Sequence, residues 1–390
     1  MRSILHLDLD TFFVSVERLR NSAFCNKPLI IGGVSHAIPG YQNRGVVSSC
    51  SYEARRFGVH SAMPIKLARK LCPEAIFLQG DFDTYQKYSR LVTEVIADQA
   101  PVFEKASIDE FYLDLTGMDK HFGCHKWSGE LRQKVSKETG LIASYGLSVN
   151  KLIAKMGTTE SKPNGAMCIS AGTEKDFIAP LAVRKIPQVG RVTAHKLQQM
   201  GVRTIQVLRG IPPRLLEREF GKPGISLWKK ANAIDHRPVV PYRERKTIGN
   251  EKTFQTDTID IRYLRATLLR MLEQLTFELR NQKKLAASVT VKIRYADFNT
   301  FSKQKKITHT ADDQLLQPII LHLFDQLYQR RQRIRMIGIQ FGQLVHGHPQ
   351  ISLFNDNLTS IHLLKEMDHI RKRFGKKSIG RASGVGNAHN

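Results

Sequence analysis

The 390-residue sequence is poor in cysteine and contains neither a long apolar run nor a low-complexity stretch. Its five cysteines are an odd number, lie far apart and form no CxxC pair, which argues against a disulfide scaffold and against structural zinc. No run approaches the roughly 18 apolar residues needed to span a bilayer. The first ten residues include two carboxylates where a signal peptide needs an apolar stretch. We therefore expect a soluble, cytoplasmic, monomeric protein that does not use a membrane.

The composition is otherwise that of an ordinary globular protein. Apolar residues make up 41% of the chain and charged residues 24%, and glycine and proline occur at usual frequencies. At about 150 residues per domain, this length predicts two to four domains with enough apolar side chains for a core.

Acidic residues are scarce relative to basic ones, since 35 Asp and Glu face 60 Lys and Arg, a formal net charge of +25. Residues 1–180 carry 22 basic and 19 acidic side chains, residues 181–240 carry 12 and 3, and residues 241–390 carry 26 and 13. A nearly neutral first half joined to a strongly basic remainder indicates carboxylate chemistry on a nucleic acid that is held elsewhere. A merely solvated basic surface is the alternative.

The first 180 residues show the alternating pattern of an α/β domain. We predict a strand over 2–10 that enters a helix over 11–20. The later predictions are strands at 28–33 and 45–48, a helix over 84–100, a hairpin of strands 103–107 and 110–115, a helix near 127–139, a strand over 141–147 and a helix over 149–160.

The remainder of the chain has a different pattern. Residues 181–235 are predicted to be helical, and 236–243 has the composition of an extended tether. A β-α-β-β-α-β order follows, which is a split βαβ sheet with two helices on one face. Its predicted strands cover 247–254, 288–295, 300–308 and 333–343, and the apolar stripes of its helices are Leu264, Leu268, Met271, Leu275 and Leu279, then Leu316, Ile319, Leu323 and Leu327.

Alternation along the strand 288–295 leaves every second side chain on the open face of this sheet. We predict that this face is basic and suited to a phosphate backbone, with a solvated strand face as the alternative. The basic side chains in question are Lys292 and Arg294 and, alternating near the last strand, Arg331, Arg333 and Arg335.

Two acidic pairs lie about one hundred residues apart in the chain, Asp8 with Asp10 and Asp109 with Glu110. Residues two apart in a strand share a face. Carboxylates gathered at strand ends persist if a cation neutralises them, and oxygen ligands with no nearby His or Cys favour Mg²⁺ over zinc. Two such ions can activate a hydroxyl on one side of a phosphorus and stabilise the leaving oxygen on the other. Ordinary surface acids near turns are the alternative.

Three further segments have the chemistry of phosphate contacts. Tyr52 and Arg55 lie three residues apart, hence on one face of a short predicted helix. Lys162 precedes a Pro-Asn-Gly turn that would present its ammonium group. Residues 186–197 are similar to a helix-hairpin-helix, in which Gly190 allows close approach of backbone N–H groups to a phosphate. The motif usually has glycine where this chain has Gln188, and a plain packing unit is the alternative.

In this order, these segments resemble the Y-family, or lesion-bypass, DNA polymerases, and most closely the bacterial DNA polymerase IV type. The resemblance extends from residue 2 to about residue 343. It rests on the motifs Asp8-Leu-Asp-Thr-Phe-Phe13, Ser51-Tyr-Glu-Ala-Arg-Arg-Phe-Gly-Val59, Ser107-Ile-Asp-Glu110 and Lys162-Pro-Asn-Gly165. One departure is the stretch 34–43, which is longer than the family's usual segment.

The resemblance implies a fold of multidomain α/β and α+β class, a right-hand polymerase with palm, fingers and thumb and a C-terminal β-α-β-β-α-β little-finger domain. The expected domains are the palm over 1–180 with fingers inserted at about 20–77, the thumb over 181–235, a tether over 236–246, the little finger over 247–343 and a tail over 344–390.

The resemblance also implies a site. Asp8, Asp109 and Glu110 would be the catalytic acids and would bind two Mg²⁺ ions with help from the Leu9 carbonyl, whereas Asp10 is not a usual ligand. Phe13 would be a steric gate, because an apolar ring can neither accommodate nor hydrogen-bond a ribose 2′-hydroxyl. The residues expected to bind the dNTP triphosphate are Ser49, Tyr52, Arg55 and Lys162 with the N–H groups of Phe12 and Phe13, and Val189 and Gly190 would bind DNA.

A short motif follows this body at residues 350–354. Gln350 with the apolar anchors Leu353 and Phe354 is similar to the peptide by which bacterial proteins bind the sliding clamp (the beta subunit). The basic segment 371–377 is predicted to be a small helix whose end is either solvated or in contact with DNA.

The sequence therefore predicts a template-directed translesion DNA polymerase. It would add dNMP units from dNTP to a primer 3′-hydroxyl on primer–template DNA, without a proofreading exonuclease, and would be distributive unless tethered to the clamp. Two alternatives stay open at this point, a non-catalytic DNA-binding protein that keeps the fold, and an RNA polymerase or other nucleotidyltransferase with similar metal chemistry.

Overall fold

A computed structural model describes residues 2–33, 44–118, 123–347, 358–376 and 378–382. These residues form two compact units, one ending at Arg243 and the other beginning at Glu244. None of the helices in the described ranges is both long and apolar enough to cross a membrane.

The first unit combines two sheets with helices as far as Cys168, and the elements beyond that residue are helices. Its strands are β1 (Ile4–Leu9), β2 (Leu29–Gly32), β3 (Val47–Cys50), β4 (Ile76–Leu78), β5 (Phe103–Lys105), β6 (Glu110–Asp114), β7 (Ala143–Ser148) and β8 (Ala166–Cys168). Its helices are α1 (Phe12–Arg20), α2 (Tyr52–Arg56), α3 (Ile65–Leu71), α4 (Phe82–Gln99), α5 (Cys124–Thr139), α6 (Lys151–Ser161), α7 (Glu174–Ile178), α8 (Arg191–Gln199), α9 (Ile205–Arg209), α10 (Pro213–Phe220) and α11 (Lys222–Ala231).

The central sheet of this unit has the order β5-β6-β1-β7-β8, with antiparallel neighbours except for the parallel pair β7 and β8. A smaller sheet has the order β3-β2-β4. The alternation of side chains along β1 determines which residues lie on each face of the central sheet. Leu5, Leu7 and Leu9 are buried in the core that includes side chains of α4 and α5, so Asp8 and the other even-numbered residues face the opposite side, where α6 packs.

The second unit contains β9 (Thr247–Thr258), α12 (Ile261–Asn281), β10 (Lys284–Tyr295), β11 (Thr300–Thr310), α13 (Asp313–Leu327), β12 (Ile334–His346) and α14 (Leu358–Phe374). Its strands form an antiparallel sheet in the order β11-β10-β12-β9. The predicted stripes of α12 and α13 pack against buried strand residues such as Val289, Val291 and Ile293. The predicted β-α-β-β-α-β order and the mixed α/β fold class are confirmed.

Some predicted bounds were wrong, and each error has a local cause. β10 begins four residues before the predicted 288, because the alternation there is hidden by the small apolar residues Ala286 and Ala287. β12 begins at Ile334, so Arg331 and Arg333 precede the strand rather than alternate along it. Of the predicted small helix over 371–377, residues 371–374 are the last part of α14, which begins at Leu358 and ends at Phe374.

Candidate active site

Strand register brings the predicted acids together at one end of the central sheet. Asp8 of β1 lies opposite Glu110 of β6, and the Leu9 N–H donates a 3.0 Å hydrogen bond to the Asp109 carbonyl. Since paired residues in neighbouring strands project on the same face, Asp8 and Glu110 share the face covered by α6. Two short motifs separated by about one hundred residues thus form a single cluster.

The loop before β6 orients the third acid. The Ser107 hydroxyl accepts a 3.1 Å hydrogen bond from the Glu110 N–H and donates one of 2.6 Å to Asp109 Oδ1. A serine at this position therefore holds the tight turn and one carboxylate oxygen of Asp109 at the same time.

A helix face opposite the sheet supplies the counter-charges. α6 carries Lys151, Lys155 and Thr158 at spacings of four and three, and Lys162 follows as its C-terminal cap, so all four lie on one helix face. Lys155 Nζ lies 2.6 Å from Glu110 Oε2, and Lys162 Nζ contacts Asp8 Oδ1. Lys155 was missed from the sequence, although its position seven residues before Lys162, two helical turns, is a usable signal.

The electrostatics of the cluster fit a cation. Burial raises the pKa of Asp8 to about 7, although the Lys162 ammonium group opposes this shift. Burial by itself would also raise the pKa of Glu110, but the neighbouring His6 ring and the ion pair with Lys155 hold that pKa below its usual range. The carboxylates of Asp8, Asp10, Asp109 and Glu110 outnumber the two contacting ammonium groups. A hard divalent cation with oxygen ligands suits this excess of negative charge.

Asp10 has a different role from Asp8, and the hydrogen bonds explain why. Its side chain is 5% exposed and accepts a 2.6 Å hydrogen bond from the Asn164 N–H and bonds of 2.9 and 3.1 Å from the Ser144 hydroxyl. β1 ends at Leu9, so the chain turns and aims Asp10 at the loop after α6. Asp10 therefore fixes the turn that carries Lys162.

Glycines allow the helix and turn to approach the sheet closely. A Cβ atom on Gly165 would lie 1.7 Å from the Ser161 carbonyl oxygen, and one on Gly146 would lie 2.1 Å from the Ala154 carbonyl oxygen. Both positions exclude any side chain. Gly146 lets α6 pack close to β7. This packing determines how far the lysines of α6 lie from the acids.

His6 is a member of the cluster that the sequence analysis missed. Its side chain is fully buried on the same face as Asp8, and ligand atoms of His6, Asp8 and Glu110 all lie within 4.8 Å of one another. The premise that the acids have no nearby histidine was therefore wrong. Burial lowers the pKa of His6 to about 4, so the ring is neutral at pH 7. The signal was present in the sequence, since His6 precedes Asp8 by two residues in a strand.

The predicted gate residue stands in an aromatic cluster at the start of α1. The ring of Phe13 stacks on Tyr85, with centroids 4.4 Å apart and an interplanar angle of 14°, and meets Phe82 edge-on at 5.6 Å. Tyr85 in turn donates a 2.8 Å hydrogen bond to Glu17 Oε1. The sequence analysis missed Phe82 and Tyr85, whose spacing of three on α4 was the available signal.

Helix α1 begins at Phe12 without a side-chain cap, and Thr11 before it has a left-handed backbone with φ of 43°. The first N–H groups of a helix have no intrahelical acceptor. The N–H groups of Phe12 and Phe13 can therefore donate hydrogen bonds to an anion.

The predicted triphosphate residues of β3 and α2 lie near this cluster. Ser49 is buried in β3, Tyr52 opens α2, and the Arg55 guanidinium lies 4.8 Å from the centre of the Tyr52 ring. The Tyr52 hydroxyl is 3.5 Å from Asp10 Oδ1, which ties α2 to the acid cluster.

The helix-hairpin-helix segment keeps its backbone geometry without the usual glycine. Gln188 has φ of 73°, the left-handed conformation that glycine would adopt, and its side-chain carbonyl accepts a 2.7 Å hydrogen bond from Lys230. Gly190 precedes α8, which begins without a side-chain cap, and Val189 is half-buried.

The open face of the second unit's sheet carries part of the predicted basic set. Lys292 pairs with Glu251 at 2.5 Å, and Arg294 donates a 2.8 Å hydrogen bond to the Thr300 hydroxyl. The Arg335 guanidinium lies 4.4 Å from the centre of the Phe298 ring. Arg331 and Arg333 are exposed before the strand.

The predicted clamp peptide, with Gln350, Leu353 and Phe354, lies outside the described residues.

Helix α14, which follows the predicted clamp peptide in the chain, packs within the second unit. Arg371 is 3% exposed and donates a 2.9 Å hydrogen bond to Glu273, so this arginine is neither a solvated nor a DNA-contacting residue.

Comparison with known proteins gives the class of the molecule. Residues 7–159 match the model of the impB/mucB/samB family, residues 245–353 match the model of its C-terminal domain, and residues 184–235 match a thumb-domain model named for DNA polymerase iota. The chain belongs to this family of Y-family polymerases, and it is a DNA-directed DNA polymerase.

Individual relatives give the type of polymerase within this family. The chain is 35% identical over 382 residues to DNA polymerase IV of Dehalococcoides mccartyi strain CBDB1, covering 97% of this chain and 96% of that protein. A solved chimera titled Y-family DNA polymerase Dbh-Dpo4(243-245)-Dbh matches with a TM-score of 0.77 and 27% identity, covering 88% of this chain and all of that one. An insertion ternary complex of Dbh DNA polymerase matches with a TM-score of 0.63 at the same identity and coverage. The chain is of the translesion, bacterial DNA polymerase IV type.

Proposed function

We propose that this polymerase extends a primer 3′-hydroxyl by a two-metal-ion mechanism at the cluster of Asp8, Asp109 and Glu110. The observation that carries the proposal is the register of β1 and β6, which sets Asp8 opposite Glu110 and bonds Leu9 to Asp109. These three carboxylates and the Leu9 carbonyl would hold two Mg²⁺ ions. Such ions supply activation of the 3′-hydroxyl and stabilisation of the departing pyrophosphate.

The chain's own side chains would bind and orient the nucleotide. Lys162 is a point charge fixed beside Asp8 by the Asp10-held turn, and it would neutralise part of the triphosphate charge. Ser49, Tyr52 and Arg55 would add hydrogen bonds, together with the uncapped N–H groups of Phe12 and Phe13. Fixing the triphosphate at several points positions the α-phosphorus for in-line attack.

Phe13 would select deoxynucleotides. Its ring is held from below by Tyr85 and from the side by Phe82, so it cannot yield easily to a larger sugar. A ribose 2′-hydroxyl placed against this ring would lose its hydrogen bonds to water and gain none.

We further propose that 1–180 forms the palm with inserted fingers, that 181–235 is the thumb, and that 247–343 is the little finger. The uncapped start of α8 at Val189 and Gly190 and the basic side chains of the second unit would bind the phosphates of primer–template DNA without reading sequence. The proposed basic set is Lys292, Arg294, Arg331, Arg333 and Arg335.

Synthesis would be distributive unless the peptide at 350–354 binds the sliding clamp, and it would proceed without proofreading. Both statements are predictions from the sequence. The cytoplasmic location and the monomeric state likewise stay predictions.

The test is primer extension on an undamaged template with and without Mg²⁺, with DNA affinity measured in parallel. We expect Mg²⁺-dependent addition of dNMP and DNA binding that needs no metal. DNA binding with no extension under any divalent cation would favour the non-catalytic alternative. Extension with ribonucleotides as efficient as with deoxynucleotides would favour an RNA-synthesising enzyme.

A further inference from the structure

A histidine lies beneath the acid cluster and has no role in the proposed synthesis. His6 belongs to β1, is 0% exposed, and packs its ring against Tyr112 with centroids 4.6 Å apart. A core position between sheet and helix would ordinarily hold an apolar side chain. A polar ring here needs a partner for each of its two nitrogens.

One nitrogen has a partner at hydrogen-bond distance, a hydroxyl that can accept from an Nδ1–H group. His6 Nδ1 lies 2.8 Å from the Thr158 hydroxyl oxygen. That hydroxyl has one hydrogen, and two carbonyl acceptors compete for it, Ala154 at 2.9 Å and the His6 backbone at 3.0 Å. Both groups are satisfied when Thr158 donates to a carbonyl and His6 Nδ1–H donates to Thr158. The second nitrogen, Nε2, then carries an unprotonated lone pair.

That lone pair points into the acid cluster. Nε2 is buried and has no hydrogen-bond partner in the described part of the chain. It lies 3.8 Å from Glu110 Oε2, beyond hydrogen-bond distance, and Lys155 Nζ contacts the same oxygen at 2.6 Å. A buried ring nitrogen without a partner is costly unless a ligand or cation binds it.

We propose that His6 Nε2, Asp8 and Glu110 form a binding site for a divalent transition-metal ion of the Zn²⁺ class. The inference rests on the proposed role of Asp8 and Glu110 as metal ligands, and it adds a nitrogen ligand and a different ion. Imidazole suits Zn²⁺ and Co²⁺, whereas Mg²⁺ is bound through oxygen. A single ion with bonds of about 2.0–2.2 Å to nitrogen and oxygen can reach across a separation of this size.

The surroundings have the form of a metal-bound histidine. A ligating imidazole typically donates its other N–H to an outer partner that fixes the ring and its tautomer, and Thr158 is that partner here. Lys155 contacts the Glu110 oxygen that faces Nε2, and Lys162 contacts Asp8, but each carboxylate has two oxygens and about four lone-pair sites. Because the ion would occupy two carboxylates assigned to Mg²⁺, Zn²⁺ and Mg²⁺ should compete.

The experiment uses the full-length protein without DNA or nucleotide. Zn²⁺ and Mg²⁺ affinities are measured by calorimetry, and the Co²⁺-loaded protein is observed by proton NMR. In the wild type we expect a strongly shifted, solvent-exchangeable resonance from Nδ1–H of a Co²⁺-bound histidine. His6→Phe, which keeps an aromatic ring but has no ring nitrogen, should lose this resonance and bind Zn²⁺ about tenfold more weakly, with Mg²⁺ affinity changed less than about twofold.

Two further variants make the result decisive. Thr158→Val keeps the imidazole but removes the group that sets its tautomer, and it should also weaken Zn²⁺ binding. His125→Gln removes an exposed imidazole from α5 and should leave both the resonance and the affinity unchanged. Circular dichroism melting of each variant verifies that it is folded.

The outcomes separate this inference from the function it rests on. A wild type that binds both ions, with no histidine resonance or with Zn²⁺ affinity unaltered in His6→Phe, would overturn the nitrogen ligand and leave the carboxylate centre intact. A wild type and an Asp8→Ala variant that bind Zn²⁺ and Mg²⁺ equally poorly would overturn both.

Discussion

The ring of Phe13 lies almost parallel to the ring of Tyr85, with centroids 4.4 Å apart. The stack joins the first helix of the chain to α4, and the Tyr85 hydroxyl is anchored on the buried carboxylate of Glu17. Burial raises the pKa of this tyrosine, so it remains a neutral donor. The side chain proposed to select the sugar is therefore held in place by a second aromatic ring, which is itself anchored on a carboxylate.

We expect Phe13→Ala to increase ribonucleotide incorporation relative to deoxynucleotide incorporation by about 10- to 100-fold, because the ring that opposes the 2′-hydroxyl is removed. Tyr85→Leu should have a smaller effect in the same direction by loosening the stack. Tyr85→Phe is the matched control, since it keeps the stacked ring. Single-nucleotide incorporation rates for dNTP and rNTP measure the effect, and unchanged sugar discrimination in Phe13→Ala would remove Phe13 from the site.

For Asp109→Ala we expect primer extension to fall by at least about a hundredfold while DNA affinity is retained, because a group that stabilises charge in the reaction is lost. The measurements are single-turnover extension and a DNA-binding titration. Asp98→Ala, on the exposed face of α4, is the control and should behave as the wild type. Comparable extension rates in the two variants would refute the metal role.

Asp10→Ala should raise the KM for dNTP by about tenfold with a smaller change in kcat, because the Asn164 N–H and the Ser144 hydroxyl lose their acceptor and Lys162 is displaced. The split between KM and kcat distinguishes this role from that of Asp109. A variant with unaltered KM would show that the turn keeps its position without Asp10.

The buried ion pair of Lys151 and Glu104 supports the end of the first unit. Its atoms are 2.6 Å apart, the side chains are 4% and 12% exposed, and Glu104 Oε2 also accepts a 2.8 Å hydrogen bond from the Val240 N–H. Lys151→Met removes the closest counter-charge of a buried carboxylate, which keeps only the exposed Arg243 at 3.6 Å, and should lower the free energy of unfolding by about 3 kcal/mol. Lys126→Met, which removes an exposed lysine 3.9 Å from Glu130, should change it little in the same urea titration.

This pair also predicts a pH dependence. Burial alone would raise the pKa of Glu104, but the hydrogen bonds from Lys151 and from Val240 outweigh it and the pKa is lowered from 4.5. A lowered folded-state pKa means that the unfolded chain binds the proton first, so the stabilisation is present above about pH 4.5 and is lost as the pH falls through the lowered value. Glu104→Gln should therefore lose less stability than the wild type on acidification from pH 5.5 to pH 3, and parallel profiles would contradict this.

Deletion of 350–354 should leave unassisted synthesis intact and abolish stimulation by a loaded sliding clamp, because the apolar anchors Leu353 and Phe354 are removed. Extension on clamp-loaded circular template measures this. Ser352→Ala, which spares both anchors, serves as the control. Persistent stimulation after the deletion would show that another surface makes the contact.

Local pattern was sufficient for much of the fold. The apolar stripes of α12 and α13 and the alternation of β10 were predicted and are confirmed, because the direction of a side chain along a helix or strand depends on the residue's own position in the repeat. Asp10 and His6 were the contrasting cases. Their neighbours are Ser144, Asn164 and Thr158, which lie 134 to 154 residues away in the chain, so no local window contains the contact.

The sequence by itself determined which chemical groups are available, namely paired carboxylates, an aromatic pair at the start of a helix, lysines at helical spacing and a basic C-terminal half. The tertiary structure decided which of these groups meet. It set Asp8 rather than Asp10 opposite Glu110, placed Lys155 and Lys162 beside the acids, and put the buried His6 ring next to them. The physical reason is that composition and periodicity are local properties, whereas register between strands and packing of a helix on a sheet are fixed by contacts between distant segments.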